Sequence, residues 1–294
     1  MAGDRYLLLV NPSARGGRSA RELLPRVEAA LRNRDLTYRR VFTESLEHGC
    51  AEATDAAAAG EITLVMSGDG LIGQVGGALA MTGATMGIIP GGRGNDLARV
   101  LEVPTDPDAA VAVVAAGVVR EIDVGQVNGK RFLGVAGGGF DSEANRIAND
   151  AKLIRGPLVY AYAALRALVA WKQATFTLTL DGERTVTHGY GVAVANSRAY
   201  GGGMFVAPHA ELDDGLFDVI YSTKMSKLRF LTGPMAKVFD GRHVDLPVIE
   251  ERRAATVTLE ADRPFAVYAD GDEITELPAT FTLLPRALRM LVPG

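Results

Sequence analysis

The chain is predicted to be α/β plus β: an N-terminal α/β half on a parallel sheet, then a C-terminal half of antiparallel β structure. Three observations predict this. Up to about residue 124, short apolar runs are each followed by a loop and a stretch of helical periodicity. Repeated strand–loop–helix units imply parallel strands covered by helices on both faces. Beyond residue 124 the apolar period falls to two, as in strands with one buried face. Finally, 294 residues suffice for two hydrophobic cores, so the expected units are 1–124 and 125–294.

Residues 6–10 predict a buried strand and residues 11–17 a loop. Ser19, with Glu22 three positions on, reads as a capping box opening a helix whose Leu23, Leu24, Val27, Ala30 and Leu31 share one face. A strand over 38–43, a helix over 51–59 and a strand over 62–66 follow. Next come Ser67-Gly68-Asp69-Gly70 and a helix running to Leu79, then a strand over 86–89. The loop Pro90-Gly91-Gly92-Arg93-Gly94-Asn95-Asp96 leads into a short helix over 97–101.

In the second half, residues 175–180 alternate, turn at Asp181-Gly182 and alternate again to 187, the pattern of a hairpin. Strands are expected over 189–195, 217–222, 256–261, 265–269, 280–284 and 288–292. Periodicity alone leaves a sandwich and an open barrel both available. A cleft between the halves is the expected place for a ligand.

Composition narrows the function classes. A net charge of −4 argues against nucleic-acid binding through bulk charge. One cysteine, Cys50, allows no internal disulfide and fits a reducing compartment. His48, His188, His209 and His243 are scattered, with no zinc-site spacing. No signal-peptide pattern is expected, since the apolar run at 7–10 is short. The longest apolar stretch, 158–171, contains Arg166 and is too short to cross a bilayer.

Three glycine-bearing loops each follow a strand and open a helix, so a parallel sheet places all three at its carboxyl edge. Helix N-termini there present unpaired N–H groups and a positive dipole end, which suit phosphate. The plainer reading is that the glycines only make tight turns. No Gly-Lys-Ser/Thr is present. Gly68-Asp69-Gly70-Leu71-Ile72-Gly73 matches GxGxxG, which keeps a dinucleotide dehydrogenase as an alternative. Against it, the match follows the third strand, and a carboxylate between the glycines would repel a pyrophosphate unless Mg²⁺ screens it.

At these residues the sequence resembles the diacylglycerol-kinase catalytic-domain family, bacterial lipid kinases related to sphingosine kinases. Ser67-Gly68-Asp69-Gly70-Leu71 looks like the family's Gly-Gly-Asp-Gly-Thr loop, and the loop from Pro90 to Asp96 like its Pro-x-Gly-Thr-Gly-Asn-Asp. Ile122-Asp123-Val124-Gly125, Tyr200-Gly201-Gly202-Gly203-Met204, Ala207-Pro208, Leu212-Asp213-Asp214-Gly215-Leu216 and Asp270-Gly271-Asp272 agree in order.

The resemblance implies ATP held between an α/β nucleotide-binding domain and an antiparallel β-sandwich domain. It implies that Asn11, Pro12, Ser13, Ala14, Arg15, Gly16, Thr43, Gly68, Asp69, Gly70, Leu71, Ile72, Gly73, Gln74, Arg93, Gly94 and Asn95 surround the nucleotide. A Mg²⁺ network would use Asp214 and the backbone of Leu216 and Glu211, with Asp69, Asp96 and Asp123 attached through water. Asp272, beside Asp270, stands where the family carries the Glu that takes the proton from a lipid hydroxyl. Together these aspartates are expected to converge on one interdomain crevice. Phosphoryl transfer is largely positioning and charge neutralisation, which such residue types serve.

Each Asp also has a structural reading: Asp213, Asp214 and Asp270 as turn residues, Asp96 as a helix cap. Asp181-Gly182-Glu183 has letters similar to the Asp270 turn but sits in a clean hairpin and is assigned to structure. Departures from the family are Ser67 for Gly, Leu71 for Thr, Arg93 for Thr and Asp272 for Glu. Arg93 offers a bidentate grip on phosphate in exchange for the lost hydroxyl.

The expected activity is transfer of the γ-phosphate of ATP to a diacylglycerol-like or sphingoid lipid, by a cytoplasmic protein that visits the inner membrane face. A soluble-substrate kinase of the NAD-kinase or phosphofructokinase type, and a non-catalytic nucleotide- or lipid-binding regulator, are the other readings. Residues 158–171 form either an interfacial helix or a buried one. The first 50 residues carry nine Lys+Arg against six Asp+Glu, which favours anionic lipid. No nucleic-acid partner is expected, and a homodimer is left open.

Overall fold

The computed structural model describes residues 5–140, 142–143, 147 and 166–294. Strands β1 (Arg5–Val10), β2 (Thr37–Phe42), β3 (Ile62–Ser67) and β4 (Thr85–Pro90) pair in parallel in the order β2-β1-β3-β4. The central three are mostly apolar and buried beyond their first residue, because helices cover both faces. Val10 lies opposite Met66, and Ser67 opposite Pro90, so the loops leaving β1, β3 and β4 start at one level of the sheet.

The helices are α1 (Arg18–Glu22), α2 (Leu24–Asn33), α3 (Leu46–Ala58), α4 (Asp69–Leu79), α5 (Asp96–Val100) and α6 (Pro107–Ala116). The expected capping box is corrected: Gly17, in the left-handed region, caps α1 without a side-chain bond. Ser19 is instead buried inside α1 and donates its hydroxyl to the Gly91 carbonyl. The chain then kinks at Leu23 and restarts as α2 with Pro25 in its first turn, where a missing N–H is harmless. α3 begins earlier than expected, at Leu46, because Ser45 accepts the His48 N–H and caps it. α6, capped by Asp106, was not anticipated: its apolar run lacks a polar stripe that would reveal its period.

The second half contains β5 (Val119–Val127), β6 (Lys130–Phe132), β7 (Val135–Gly139), β8 (Ala174–Leu180), β9 (Glu183–Gly189), β10 (Gly191–Ala195) and β11 (Phe217–Ser222). Two short helices follow, α7 (Lys227–Thr232) and α8 (Pro234–Lys237). Strands β12 (Ile249–Ala254), β13 (Thr256–Ala261), β14 (Ala266–Ala269), β15 (Asp272–Glu276) and β16 (Ala279–Leu291) complete the fold.

One antiparallel sheet has the order β12-β11-β10-β7-β14-β15. It faces the β16-β13-β8-β9 portion of the other sheet across a core that includes Phe132, Phe176, Phe217, Leu259 and Phe281. The architecture is therefore an N-terminal α/β sheet followed by a C-terminal antiparallel β sandwich.

β16 belongs to both. Its start pairs with β13, its length with β5, and Arg289 and Met290 pair in parallel with Thr85 and Met86 of β4. The separate strands expected over 280–284 and 288–292 are thus one strand, interrupted by a register shift between Leu284 and Leu288 where Arg286 takes φ 51°. A bulge breaks the period of two without ending the pairing. The Asp181-Gly182 hairpin is as expected, and the Asp181 carboxylate accepts the Ala255 and Thr256 N–H groups. Of the stretch 158–171, residues 158–165 lie outside the described residues; Ala167, Leu168 and Trp171 are buried and Val169 is exposed.

Candidate active site

The loops after β3 and β4 touch backbone to backbone: a Cβ on Gly92 would stand 2.4 Å from the Gly68 Cα. No side chain fits between them, so the glycines are required by close approach rather than by turn geometry alone. Gly68, the N-cap of α4, brings no side-chain cap, and the first-turn N–H groups of that helix have no intrahelical acceptor. The β1 loop joins the same edge through Asn11, whose Nδ2 donates to Ser67 Oγ at 3.3 Å.

Asp69, the first residue of α4, supplies the cap that α5 lacks. The α5 N-cap Asn95 is left-handed at φ 52°, and its side chain accepts the Gly92 N–H instead. The Asp69 carboxylate accepts the N–H groups of Asn95 at 2.9 Å and Asp96 at 2.7 Å. Asp96 in turn accepts the Gly202 N–H at 2.7 Å and pairs with Arg99 at 2.5 Å. Two carboxylates therefore link both glycine loops to the Tyr200–Met204 turn of the second half. Burial, then the neighbouring Asp96, push the Asp69 carboxyl up, opposed by its N–H donors.

Asp270 forms the opposite wall. Its carboxylate accepts N–H groups from Leu133 at 2.8 Å, Gly134 at 2.9 Å and Val135 at 3.1 Å. Burial lifts its pKa to about 6 against those three donors, with a further push from Asp69. A Cβ on Gly134 would come within 2.5 Å of its Oδ1.

Between these walls lies a hollow of about 510 Å³. It is lined by Gly68, Asp69, Gly70, Ile72, Gly73, Arg93, Gly94, Asp96 and Leu97 from the α/β half. Leu133, Gly134, Ser197, Ala199, Tyr200, Gly201, Gly202, Phe239, Asp270 and Gly271 line it from the other half. Gly201 and Gly202 have φ of 69° and 85°, a conformation that favours glycine.

The remaining expected residues do not line the hollow itself, although Asn11 and Asn95 sit at its edge through Ser67 and Asp69. Asn11, Pro12, Ser13, Ala14, Arg15, Gly16, Thr43, Gln74 and Asn95 are not among the lining residues. Thr43 is buried, with its hydroxyl donated to the Val10 carbonyl. Leu71 is 3% exposed and packs in the α/β core, where a Cβ on Gly49 would meet it at 2.8 Å. The departure at 71 thus feeds packing. Asp272 is exposed at the start of β15, outside the lining residues.

The expected convergence of all the aspartates on one crevice needs correction. Asp69 and Asp96 line the hollow; Asp123, Glu211, Asp214 and Leu216 do not. Asp123 is fully buried and accepts the Gly215 and Arg286 N–H groups. Asp213 pairs with Arg120, Glu211 with Arg198 and Asp214 with Arg253, while Asp214 also accepts the Leu216 N–H. Neutralised by arginines and turn N–H groups, these acids have no need of the crevice. Among the described residues, no three His, Cys, Asp or Glu side chains form a group that could hold a metal directly.

Leu133, Gly134, Ser197, Ala199 and Phe239 line the hollow without having been singled out. Gly134 opens the glycine-rich stretch 134–139, a signal that could have found it; Leu133, Ser197, Ala199 and Phe239 belong to no acidic or glycine-loop pattern, and folding alone brings them there.

Comparison with known proteins gives concordant matches. The model of the diacylglycerol kinase catalytic domain matches residues 5–127, and that of the YegS C-terminal NAD kinase beta sandwich-like domain matches residues 134–292. The chain is 37% identical over 250 residues to the diacylglycerol kinase of Mycobacterium tuberculosis, covering 83% of this chain and 78% of that one. It is 30% identical over 299 residues to the Pseudomonas aeruginosa protein named "Probable lipid kinase YegS-like", covering 100% and 96%. A crystal structure of a diacylglycerol kinase from Bacillus anthracis str. Sterne superposes with a TM-score of 0.74 at 21% identity, covering 100% of this chain and 98% of that one, a likeness of fold.

Proposed function

The chain belongs to the diacylglycerol kinase catalytic-domain family, and from that footing we propose that this lipid kinase moves the γ-phosphate of Mg-ATP onto the hydroxyl of a diacylglycerol-like or sphingoid lipid. One observation carries the reading: the open N-terminus of α4, Arg93 and the Asp69–Asp96 pair face one hollow that the second half closes. Oriented N–H groups and a guanidinium are what a triphosphate requires. Arg93 has no ion-pair or hydrogen-bond partner among the described residues.

A divalent ion fits the pair only through water. All four oxygens of Asp69 and Asp96 already accept hydrogen bonds, and Mg²⁺ readily keeps several waters. When bound, it would supply charge neutralisation at the phosphates. Asp69 and Asp96 would orient those waters; Gly68 to Gly70 and Arg93 would hold phosphate oxygens.

We assign the two acids of the β14–β15 turn separate tasks. Asp270 has both oxygens committed to backbone N–H groups and pins the turn to Leu133, Gly134 and Val135. Asp272, two residues on and without a partner among the described residues, is the free acceptor. It takes the hydroxyl proton as the lipid oxygen bonds to the γ-phosphorus and the bond to ADP breaks. We assign the nucleotide wall to the unit drawn at 1–124 and the lipid wall to that at 125–294, with the end of β16 returning to the α/β core. A bilayer-held substrate brings the enzyme to the membrane surface, since no described helix is long and apolar enough to cross it.

The test is transfer from labelled ATP to diacylglycerol, monoacylglycerol, sphingosine, ceramide and phosphatidylglycerol in mixed micelles. Asp272→Asn is expected to lower kcat about a hundredfold or more with an unchanged melting temperature. Full activity in that variant would remove the assigned base. Transfer only to soluble acceptors, undiminished without lipid, would remove the lipid reading.

A further inference from the structure

We infer that the α7–α8 segment is the surface by which this protein docks on an anionic lipid bilayer. The inference rests on the lipid-kinase reading and names the face that meets the membrane. Between residues 223 and 239 the chain carries four cations, Lys224, Lys227, Arg229 and Lys237, and no acid. The next acid, Asp240, is neutralised by Arg242 at 2.5 Å.

The same segment displays apolar side chains to solvent. Leu228 is 71% exposed, Leu231 38% and Phe239 61%. Leu228 and Leu231, three apart, lie on the outer side of α7. Its inner side is anchored by Phe230, stacked on Tyr190 at 3.9 Å and packed against Phe140 and Met235. The anchor leaves Leu228 and Leu231 no route inward. Val169, 73% exposed, joins them, because Lys227 donates to its carbonyl at 2.6 Å.

Exposed leucines and a phenylalanine on a segment whose only charges are cations complement a bilayer with negative headgroups: the apolar groups enter the interface and the ammonium and guanidinium groups meet phosphates. Lys224, Arg229 and Lys237 have no ion-pair partner among the described residues that would compete with that contact. Phe239 also lines the hollow, so the segment is continuous with the site where a lipid hydroxyl must arrive.

Sedimentation with vesicles tests this, using phosphatidylcholine alone and phosphatidylcholine mixed with phosphatidylglycerol. The intact protein is expected to sediment with the mixed vesicles, less so in high salt. Lys224→Gln with Arg229→Gln should weaken that binding about fivefold per charge. Leu228→Ser with Leu231→Ser should weaken it at least as much, and transfer to lipid dispersed in detergent should stay unchanged in both variants. Vesicle binding equal to the parent in both would overturn the inference. So would a change in oligomeric state in place of a change in vesicle binding, which would mark the patch as a contact between copies. Vesicle binding by a parent protein that phosphorylates no lipid would leave the docking surface standing and remove the kinase reading.

Discussion

Single carboxylates in this protein are defined by what donates to them. Asp69 was read as an acid at a phosphate loop, yet its immediate work is to cap a neighbouring helix. Asp218 shows the opposite situation. It is 1% exposed, its Oδ2 has no hydrogen-bond partner, and burial together with nearby Glu251 lifts its pKa to about 6. Because that value exceeds the roughly 3.9 of an unfolded Asp, the folded protein binds the extra proton between about pH 4 and 6. The stability this proton confers is fully present below about pH 4 and is lost as pH rises through 6. Asp218→Asn, which has no charge to bury, is therefore expected to raise stability at pH 8 by about 1–3 kcal/mol. It should also flatten part of the decline above pH 4, to which Asp270 and Asp69, both pushed up by burial, contribute as well. Urea unfolding at pH 5 and pH 8 measures both effects; a loss of stability at pH 8 would contradict the argument.

At the scale of elements, the site depends on two loops meeting without side chains. Ala at position 92 would collide with the Gly68 Cα, and backbone cannot yield as a flexible side chain can. Gly92→Ala is expected to separate the two loops, break the Asp69 cap on α5, and cost roughly a hundredfold in turnover by displacing the phosphate-holding groups. Circular dichroism should stay near that of the parent, since the clash lies outside the helices and strands. The glycine pattern made these loops legible in the sequence, and so did the order strand, loop, helix. The use of each acid was not legible: Asp69 and Asp214 both sit beside glycine, and only their partners distinguish a residue of the hollow from one held by Arg253.

For the whole molecule, β16 is the decisive element. Ala279 and Phe281 belong to the sandwich core, whereas Leu288, Met290 and Leu291 belong to the α/β core. A strand shared by two cores couples their unfolding. Calorimetry is therefore expected to show one transition, and Leu291→Ala, which empties space against Gly87, should lower it as a whole by about 2–5 kcal/mol. Two separated transitions, with only one moved by that substitution, would show that the halves melt independently.

The sequence by itself determined the parallel α/β half, the antiparallel half, the Asp181 hairpin and the loops bearing the α4 and α5 N-termini. Those features follow from periodicity and from residues that local geometry demands. Only the tertiary structure decided that 280–284 and 288–292 are one strand, that Leu71 faces the core, and that Asp69 shares a hollow with Asp270 but not with Asp214. Each of these is a relation between segments distant along the chain, set by pairing register and by which donor reaches which carboxylate, and local pattern carries no record of either.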